Sequence, residues 1–296
     1  MKKIRFGKTG MEVTRLALGG YPFAGVNRAC GWDPYTPDGE REALRTINAA
    51  LDGGINYIDT APGYGNGHSE TLIGQVMHTR RSECYLATKV AYDGDKASTV
   101  QSCEESLRRL QTDYVDVLQF HGGRFTGAQV GHILNGGPMD AMDELKKRGL
   151  IRHIGFTVEE PWTGLPLIAS GRFETVQVCY NLARQAAGYH LLDDAREADL
   201  GVCCMRPLTS GILQRQLETL APQWLENGEI YRVLMAFLLS DSRVHMIPVG
   251  MRWQCEVEEN ISFVESFAPS ADMAAIPRMT QHIYESDDAR HAENNA

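Results

Sequence analysis

The sequence predicts an α/β protein, a (β/α)8 TIM barrel with an N-terminal β-hairpin and long loops at its C-terminal face. Three observations carry that expectation. Short apolar runs of strand length alternate with longer amphipathic stretches along the whole chain, the pattern of a parallel sheet covered by helices. Eight such strand–helix pairs can be counted, which favours a closed barrel over an open sheet. No Pro/Gly/Ser-rich linker divides the 296 residues, so 1–285 reads as one domain and 286–296 as a frayed polar tail.

The elements follow in order. Ile4-Arg5-Phe6 and Met11-Glu12-Val13 flank Gly7-Lys8-Thr9-Gly10 as a small hairpin. Arg15 to Leu18 is the first central strand, stopped by Gly19-Gly20. A helix opens at Thr36-Pro37-Asp38, where a capping oxygen precedes proline in the first turn; Ala43, Leu44, Ile47 and Leu51 share one face, and Gly53-Gly54 ends it. Strands are expected at Ile55–Ile58, Cys84–Thr88, Tyr114–Phe120, Ile151–Phe156, Thr175–Cys179, Val202–Met205 and Val244–Val249. The helices between them are expected at Ser69–Met77, Ser98–Leu110, Pro138–Arg148, Pro161–Ala169, Tyr189–Ala198, Gly228–Leu239 and Cys255–Phe263, with a last one near 273–285. Three connections are long: Gly20 to Tyr35, Gly122 to Gly137, and Pro207 to Asn227. All follow strand C-terminal ends, where barrels build their sites.

Composition narrows the function. A formal net charge of -9 without a basic cluster argues against a nucleic-acid or anionic-membrane partner. Met1-Lys2-Lys3 is not followed by an apolar run of signal-peptide length, and no run approaches a membrane span. Seven cysteines lack both a disulfide framework and metal-ligand spacing. Cys84, Cys179, Cys203 and Cys204 lie in apolar runs and read as buried small residues. The expectation is a cytoplasmic protein without a metal.

Four residues carry the chemistry. Asp59 and Lys89 each follow a strand-like run, His121 ends a third, and Tyr64 lies just after Asp59. In a parallel barrel these strand ends converge on one mouth. Hydride arriving at a carbonyl carbon leaves negative charge on oxygen, which a donor must meet. A free phenol has a pKa near ~10, so a neighbouring Lys89 ammonium is expected to lower it. Asp59 would keep that lysine charged and aimed, and His121 would orient the carbonyl. Singly, each residue has a bland reading: a turn aspartate, a packed tyrosine, a solvated lysine, a core histidine. Their joint placement on consecutive strands favours function.

The chain resembles the aldo-keto reductase superfamily at several points. Gly54-Ile55-Asn56-Tyr57-Ile58-Asp59-Thr60-Ala61 with Tyr64-Gly65 and Ser69-Glu70-Thr71-Leu72-Ile73-Gly74 is similar to its first signature. Gln119-Phe120-His121, Ile154-Gly155-Phe156-Thr157, Val176-Gln177-Val178-Cys179-Tyr180-Asn181 and Arg206-Pro207-Leu208-Thr209-Ser210-Gly211 match later segments, as does Ile247-Pro248-Val249-Gly250 with Glu259-Asn260. The resemblance implies a barrel that binds NAD(P)H in extended form and uses Asp59, Tyr64, Lys89 and His121 as a catalytic tetrad. It implies Thr157 and Gln177 at the nicotinamide amide and Met205 against the ring, with Arg206 beside it. Leu208, Ser210 and Gly211 would cross the pyrophosphate, and Glu259 and Asn260 would meet the adenine. The sequence departs from the pattern at Val158, where asparagine is frequent. It departs again at Gly250 and Glu256, where many members carry lysine and arginine for a 2′-phosphate. A carboxylate there suits a ribose diol, whereas Arg252 is near enough to hold a phosphate. NADP and NAD therefore both stand, NADP first on the resemblance.

Tyr21, Phe23 and Trp32 in the first long loop and Arg124 in the second are the candidates for the substrate pocket. Packing under the loop competes for the aromatics, and solvation for the arginine. The leading expectation is an oxidoreductase interconverting an aldehyde or ketone, such as a sugar or small hydroxylated carbonyl, with its alcohol. Two alternatives are a coenzyme-binding regulatory subunit acting through a protein partner, and a lyase or aldolase forming a Schiff base on Lys89.

Overall fold

The computed structural model describes residues 1–26, 31–226, 228–273 and 275–276. Strands β1 (Lys3–Arg5) and β2 (Glu12–Thr14) pair antiparallel as the expected hairpin. Eight parallel strands follow: β3 (Leu16–Gly19), β4 (Tyr57–Asp59), β5 (Tyr85–Val90), β6 (Val115–Phe120), β7 (Ile151–Val158), β8 (Thr175–Cys179), β9 (Gly201–Met205) and β10 (Ile247–Gly250). Each pairs with its sequence neighbour, and β10 pairs with β3. A parallel bridge between Cys203 and Met246, with the Cys204 N–H donating to the Met246 carbonyl at 3.0 Å, closes the barrel.

Helices cover the outside: α1 (Pro37–Asp52), α2 (His68–Arg80), α3 (Lys96–Leu110), α4 (Gly127–Asn135), α5 (Pro138–Lys147), α6 (Leu165–Ala169), α7 (Ala187–His190), α8 (Leu192–Glu197), α9 (Ile212–Leu220), α10 (Glu229–Ser240) and α11 (Gln254–Ser266). The α1 start is as expected: Thr36 accepts from the Gly39 N–H and Pro37 takes the first turn.

The strand period of two divides the apolar residues into two cores. Phe6, Met11, Val13, Ala17, Tyr57, Ala87, Val117, Cys203 and Met246 fill the barrel interior, with the hairpin's Phe6 and Val13 closing its N-terminal end. Leu18, Ile58, Leu86, Leu118, Ile154, Val176, Cys204 and Val249 belong to the larger core shared with the helices. Cys203 thus faces inward and Cys204 outward, as alternation requires.

Several boundaries move. The sequence-based strand at Cys84–Thr88 ends at Val90, so Lys89 is inside β5 and points into the barrel. The expected 189–198 helix is two short helices separated at Leu191, whose φ of -137° is not helical. Two helices lie inside connections read as loops. In α4, a capping box joins Thr126 and Gln129 and offsets glycines at 127 and 131, which weaken the sequence signal. Helix α9 is amphipathic in sequence but stays largely exposed, with Gln214 its only buried residue. The expected tail, the 285 boundary and the last helix beyond residue 276 lie outside the described residues.

Candidate active site

Inward-facing positions of four of the barrel strands supply the floor of the mouth. Asp59 ends β4, Lys89 lies in β5, Gln119 pairs beside Lys89 in β6, and Gln177 lies in β8. All four are buried. Lys89 Nζ donates to both Asp59 oxygens at 2.9 Å and to the Thr60 carbonyl at 2.7 Å. Its contact with Tyr64 Oη is longer, at 3.4 Å. Gln119 Nε2 donates to Asp59 Oδ1 at 3.2 Å and Gln177 Nε2 to Oδ2 at 3.1 Å. The carboxylate thus has four donor contacts, as a buried charge requires.

The loop bearing Tyr64 is tied down on both sides. Behind it, the fully buried Glu70 of α2 accepts from Thr88 Oγ1 at 2.6 Å and from Arg109 Nε at 2.7 Å. That joins the helix after Tyr64 to the strand carrying Lys89. In front, Tyr35 stacks on His68 at 4.1 Å and its hydroxyl donates to the Gly65 carbonyl. Tyr21 meets the Tyr64 ring edge-on at 5.0 Å, and His121 does so from the other side at 6.0 Å. Tyr64, Lys89, Asp59 and His121 are therefore brought together.

The electrostatics correct one expectation. Burial pushes the Tyr64 phenol up, Lys89 pulls it down and Asp59 pushes it up again; the net direction is upward. Desolvation is the largest effect, and the Asp59 charge adds to it against the pull of the ammonium. Burial alone would lower Lys89, but Asp59 and then Tyr64 outweigh it, so the ammonium stays charged. His121 is exposed at the open mouth, yet protein around its ring and the nearby Lys89 push it down to about 4. At pH 7 it is neutral. The arrangement therefore holds a protonated phenol next to a permanent cation and a neutral imidazole, which suits proton donation to a developing alkoxide.

Beyond this cluster, Thr157 on β7 pairs in register with Gln177. Its hydroxyl donates to the Gly122 carbonyl at 2.7 Å and accepts from the Gly122 N–H at 3.0 Å. Gln177 Oε1 is buried with no hydrogen-bond partner. Met205 ends β9, half-buried. Arg206, Thr209 and Ser210 have φ of 58°, 55° and 55°, a left-handed backbone conformation costly for non-glycine residues and for threonine most of all. The Asn181 side-chain amide steadies it by donating to the Arg206 carbonyl at 3.0 Å. Arg206 reaches Glu159 at 2.6 Å and Ser210 Oγ at 3.2 Å. Gly211 follows with φ 77°, and Leu208 packs partly buried against the outer core.

At the β10 end, Gly250 is exposed and Glu256 accepts from the Arg252 N–H at 2.6 Å. Arg252 Nε is buried without a partner. Glu259 is exposed and Asn260 half-buried on α11.

The four pocket candidates separate. Tyr21 is exposed beside Tyr64, and Arg124 is exposed and paired with Glu160 at 3.4 Å. Phe23 and Trp32 are 0% and 5% exposed and meet edge to face in the core under the first loop. Their bulk goes to packing there rather than to the mouth. Sequence reasoning passed over Gln119 and Glu159. Gln119 had a signal, since it stands two residues before His121 on one strand and so shares its face. Glu159 had none, because its partners come from other strands' loops.

The sequence model of the Aldo/keto reductase family matches residues 15–280. L-galactose dehydrogenase of Arabidopsis thaliana is 27% identical over 295 residues, spanning 87% of this chain and 86% of its own. Aldo-keto reductase YhdN of Bacillus subtilis (strain 168) is 32% identical, spanning 72% of this chain and 64% of its own. Among solved structures, the aldo/keto reductase from Klebsiella pneumoniae in complex with NADP and acetate has a TM-score of 0.76 at 24% identity. It spans 93% of this chain and 94% of its own, a likeness of fold.

Proposed function

The chain belongs to the aldo/keto reductase family of oxidoreductases, and from that premise we propose that it interconverts an aldehyde or ketone with its alcohol, with Tyr64 as general acid and base. The carbonyl substrate is a small one, with sugars and hydroxylated carbonyls the first class to try. The observation that carries this is the buried Asp59–Lys89 pair with the phenol of Tyr64 on its open side. In reduction, Tyr64 donates its proton to the developing alkoxide. Lys89 stabilises the phenolate that remains, and Asp59 holds Lys89 in place. His121, neutral, donates a hydrogen bond that fixes the carbonyl.

A nicotinamide dinucleotide fits the residues present. Gln177 Oε1 is a buried acceptor in want of a donor, and an amide N–H₂ provides one. The Arg206–Gly211 segment, left-handed at Arg206 and again from Thr209 to Gly211, presents backbone and Ser210 at the mouth, where phosphate oxygens can be met. The coenzyme supplies the hydride. Thr157, Gln177 and Met205 would hold its ring end, Arg206, Leu208, Ser210 and Gly211 its pyrophosphate, and Gly250, Arg252, Glu256, Glu259 and Asn260 its adenosine end. Nothing supports the regulatory alternative. For the Schiff-base alternative, the Lys89 amine is charged and fully engaged by acceptors, so it is a poor nucleophile.

A panel of aldehydes, ketones and polyols, followed by nicotinamide absorbance with both coenzymes, tests the reading; no coenzyme turnover with any carbonyl would refute it. Coenzyme choice turns on Glu256. Its carboxylate is fixed by the Arg252 N–H in the first turn of α11, so a 2′-phosphate there would face a held negative charge. Glu256→Gln keeps an acceptor for that N–H and removes the charge. It should raise kcat/KM for NADPH by roughly fivefold, about 1 kcal/mol, and leave NADH within about twofold. An unchanged NADPH value would show that Glu256 does not face the phosphate.

A further inference from the structure

Asp59 is held by two neutral amides as well as by Lys89, and the two amides differ. Gln119 and Gln177 both donate to the carboxylate, at 3.2 and 3.1 Å. Only Gln177 keeps a buried oxygen without a partner, and it stands at the register position beside Thr157. Gln119 stands beside Lys89, on the other side of Asp59. Its room is made by a glycine: a Cβ at Gly155 would lie 3.0 Å from Gln119 Cγ and 2.2 Å from Thr175 Oγ1.

We propose that Gln119 is a positioning residue for proton transfer, which shares the charge of Asp59 and so leaves the Lys89 ammonium free to act on Tyr64. This rests on the reading of Tyr64 as proton donor. An ionised carboxylate accepts about four hydrogen bonds. Each one drawn from a neutral amide disperses negative charge without adding a second cation. With Gln119 in place, Lys89 faces a partly satisfied carboxylate and keeps more of its field for the phenol. Without that donor, the Asp59 charge concentrates on Lys89 and opposes phenolate formation. Gln177 does the same on the other oxygen but is also available to the coenzyme. The remaining titratable groups facing the cluster do not replace this effect. Tyr57 and Cys203 inside the barrel are pushed well up by burial and stay neutral. His121 is neutral at pH 7.

The test compares Gln119→Met, Gln119→Leu and Gln177→Met in the full chain. Reduction of para-nitrobenzaldehyde, oxidation of benzyl alcohol over a pH series and coenzyme dissociation constants are the readouts. Both Gln119 variants should lower kcat roughly three- to tenfold, a part of the worth of one hydrogen bond to a charged group, because Gln119 acts on Tyr64 only through Asp59 and Lys89. The pH midpoint of alcohol oxidation, which needs the phenolate, should move up by about half a unit or more. Coenzyme affinity should stay within about twofold, which also shows that the variants fold. Gln177→Met should weaken coenzyme binding as well. Unchanged kcat and midpoint in Gln119→Met and Gln119→Leu would overturn the proposal. Loss of coenzyme affinity equal to that of Gln177→Met would overturn it too. Tyr64→Phe measured alongside separates the two layers. An inactive Tyr64→Phe beside normal Gln119 variants overturns this proposal alone, whereas wild-type turnover in Tyr64→Phe overturns both readings.

Discussion

Tyr64→Phe should lower kcat for carbonyl reduction by roughly 10²- to 10⁴-fold, the usual worth of a positioned general acid. Coenzyme affinity should barely change, because the substitution removes one oxygen and leaves the ring contacts with Tyr21 and His121. No other described O–H donor shares the Lys89 ammonium: the amine's remaining partners are Asp59 and a backbone carbonyl. The pH dependence has a definite sign. Burial holds the phenol above its ordinary value against the pull of Lys89, so it is protonated throughout the neutral range. Reduction should therefore stay flat from about pH 6 to 8 and fall only in strong alkali, whereas alcohol oxidation should rise with pH. His121, at about 4, should contribute no inflection in that window. Steady-state rates of the pure variant in both directions decide the matter. Wild-type turnover without the hydroxyl, or a reduction profile that collapses between pH 6 and 8, would contradict the assignment.

Asp116→Ala should cost about 3–5 kcal/mol of stability and lower Tm by roughly 5–8 °C for a chain of this size. Asp116 lies at the N-terminal end of β6, 1% exposed, far from the mouth. Its Oδ2 accepts from Arg81 Nη2 at 2.6 Å and from the Leu86 N–H at 2.9 Å. Arg81 also donates to the Cys84 carbonyl, to the Tyr114 carbonyl and to Thr112 Oγ1. The Tyr114 ring is stacked between the Arg81 and Arg152 guanidinium groups, each 4.1 Å from its centroid. Removing the carboxylate strands a half-buried cation and a buried N–H together, which is why the loss exceeds that of a surface pair. Activity per folded molecule should be unchanged at 25 °C. A thermal melt within roughly 1 °C of wild type would show that Arg81 finds its stabilisation elsewhere.

The two sites illustrate different degrees of legibility. Asp59, Tyr64, Lys89 and His121 could be read because strand ends in a parallel barrel point to one place, so spacing along the chain becomes proximity in space. The strand–helix alternation was readable for the same kind of reason: a period of two and a period of 3.6 are local properties. Helix α4 was hard to read because it rests on a capping box amid glycines, whereas α9 carries an amphipathic pattern inside a connection read as a loop. Asp116 and Arg81 carried no signal, as two unremarkable charges 35 positions apart. Phe23 and Trp32 show the limit of residue type. An aromatic on a long loop suits a pocket or a core equally, and the fold sent both to the core.

From residue order alone came the barrel, its orientation and the identity of the acid–base candidates, since each depends on pattern within a strand or its immediate loop. Three matters awaited the folded chain: the direction in which the Tyr64 phenol moves, the two amides on Asp59, and the fixed Glu256 carboxylate. Each is a balance between desolvation and partners drawn from separate strands or turns. Such balances exist only once the interior has been closed to water, because burial weakens charge hydration and strengthens every contact that replaces it.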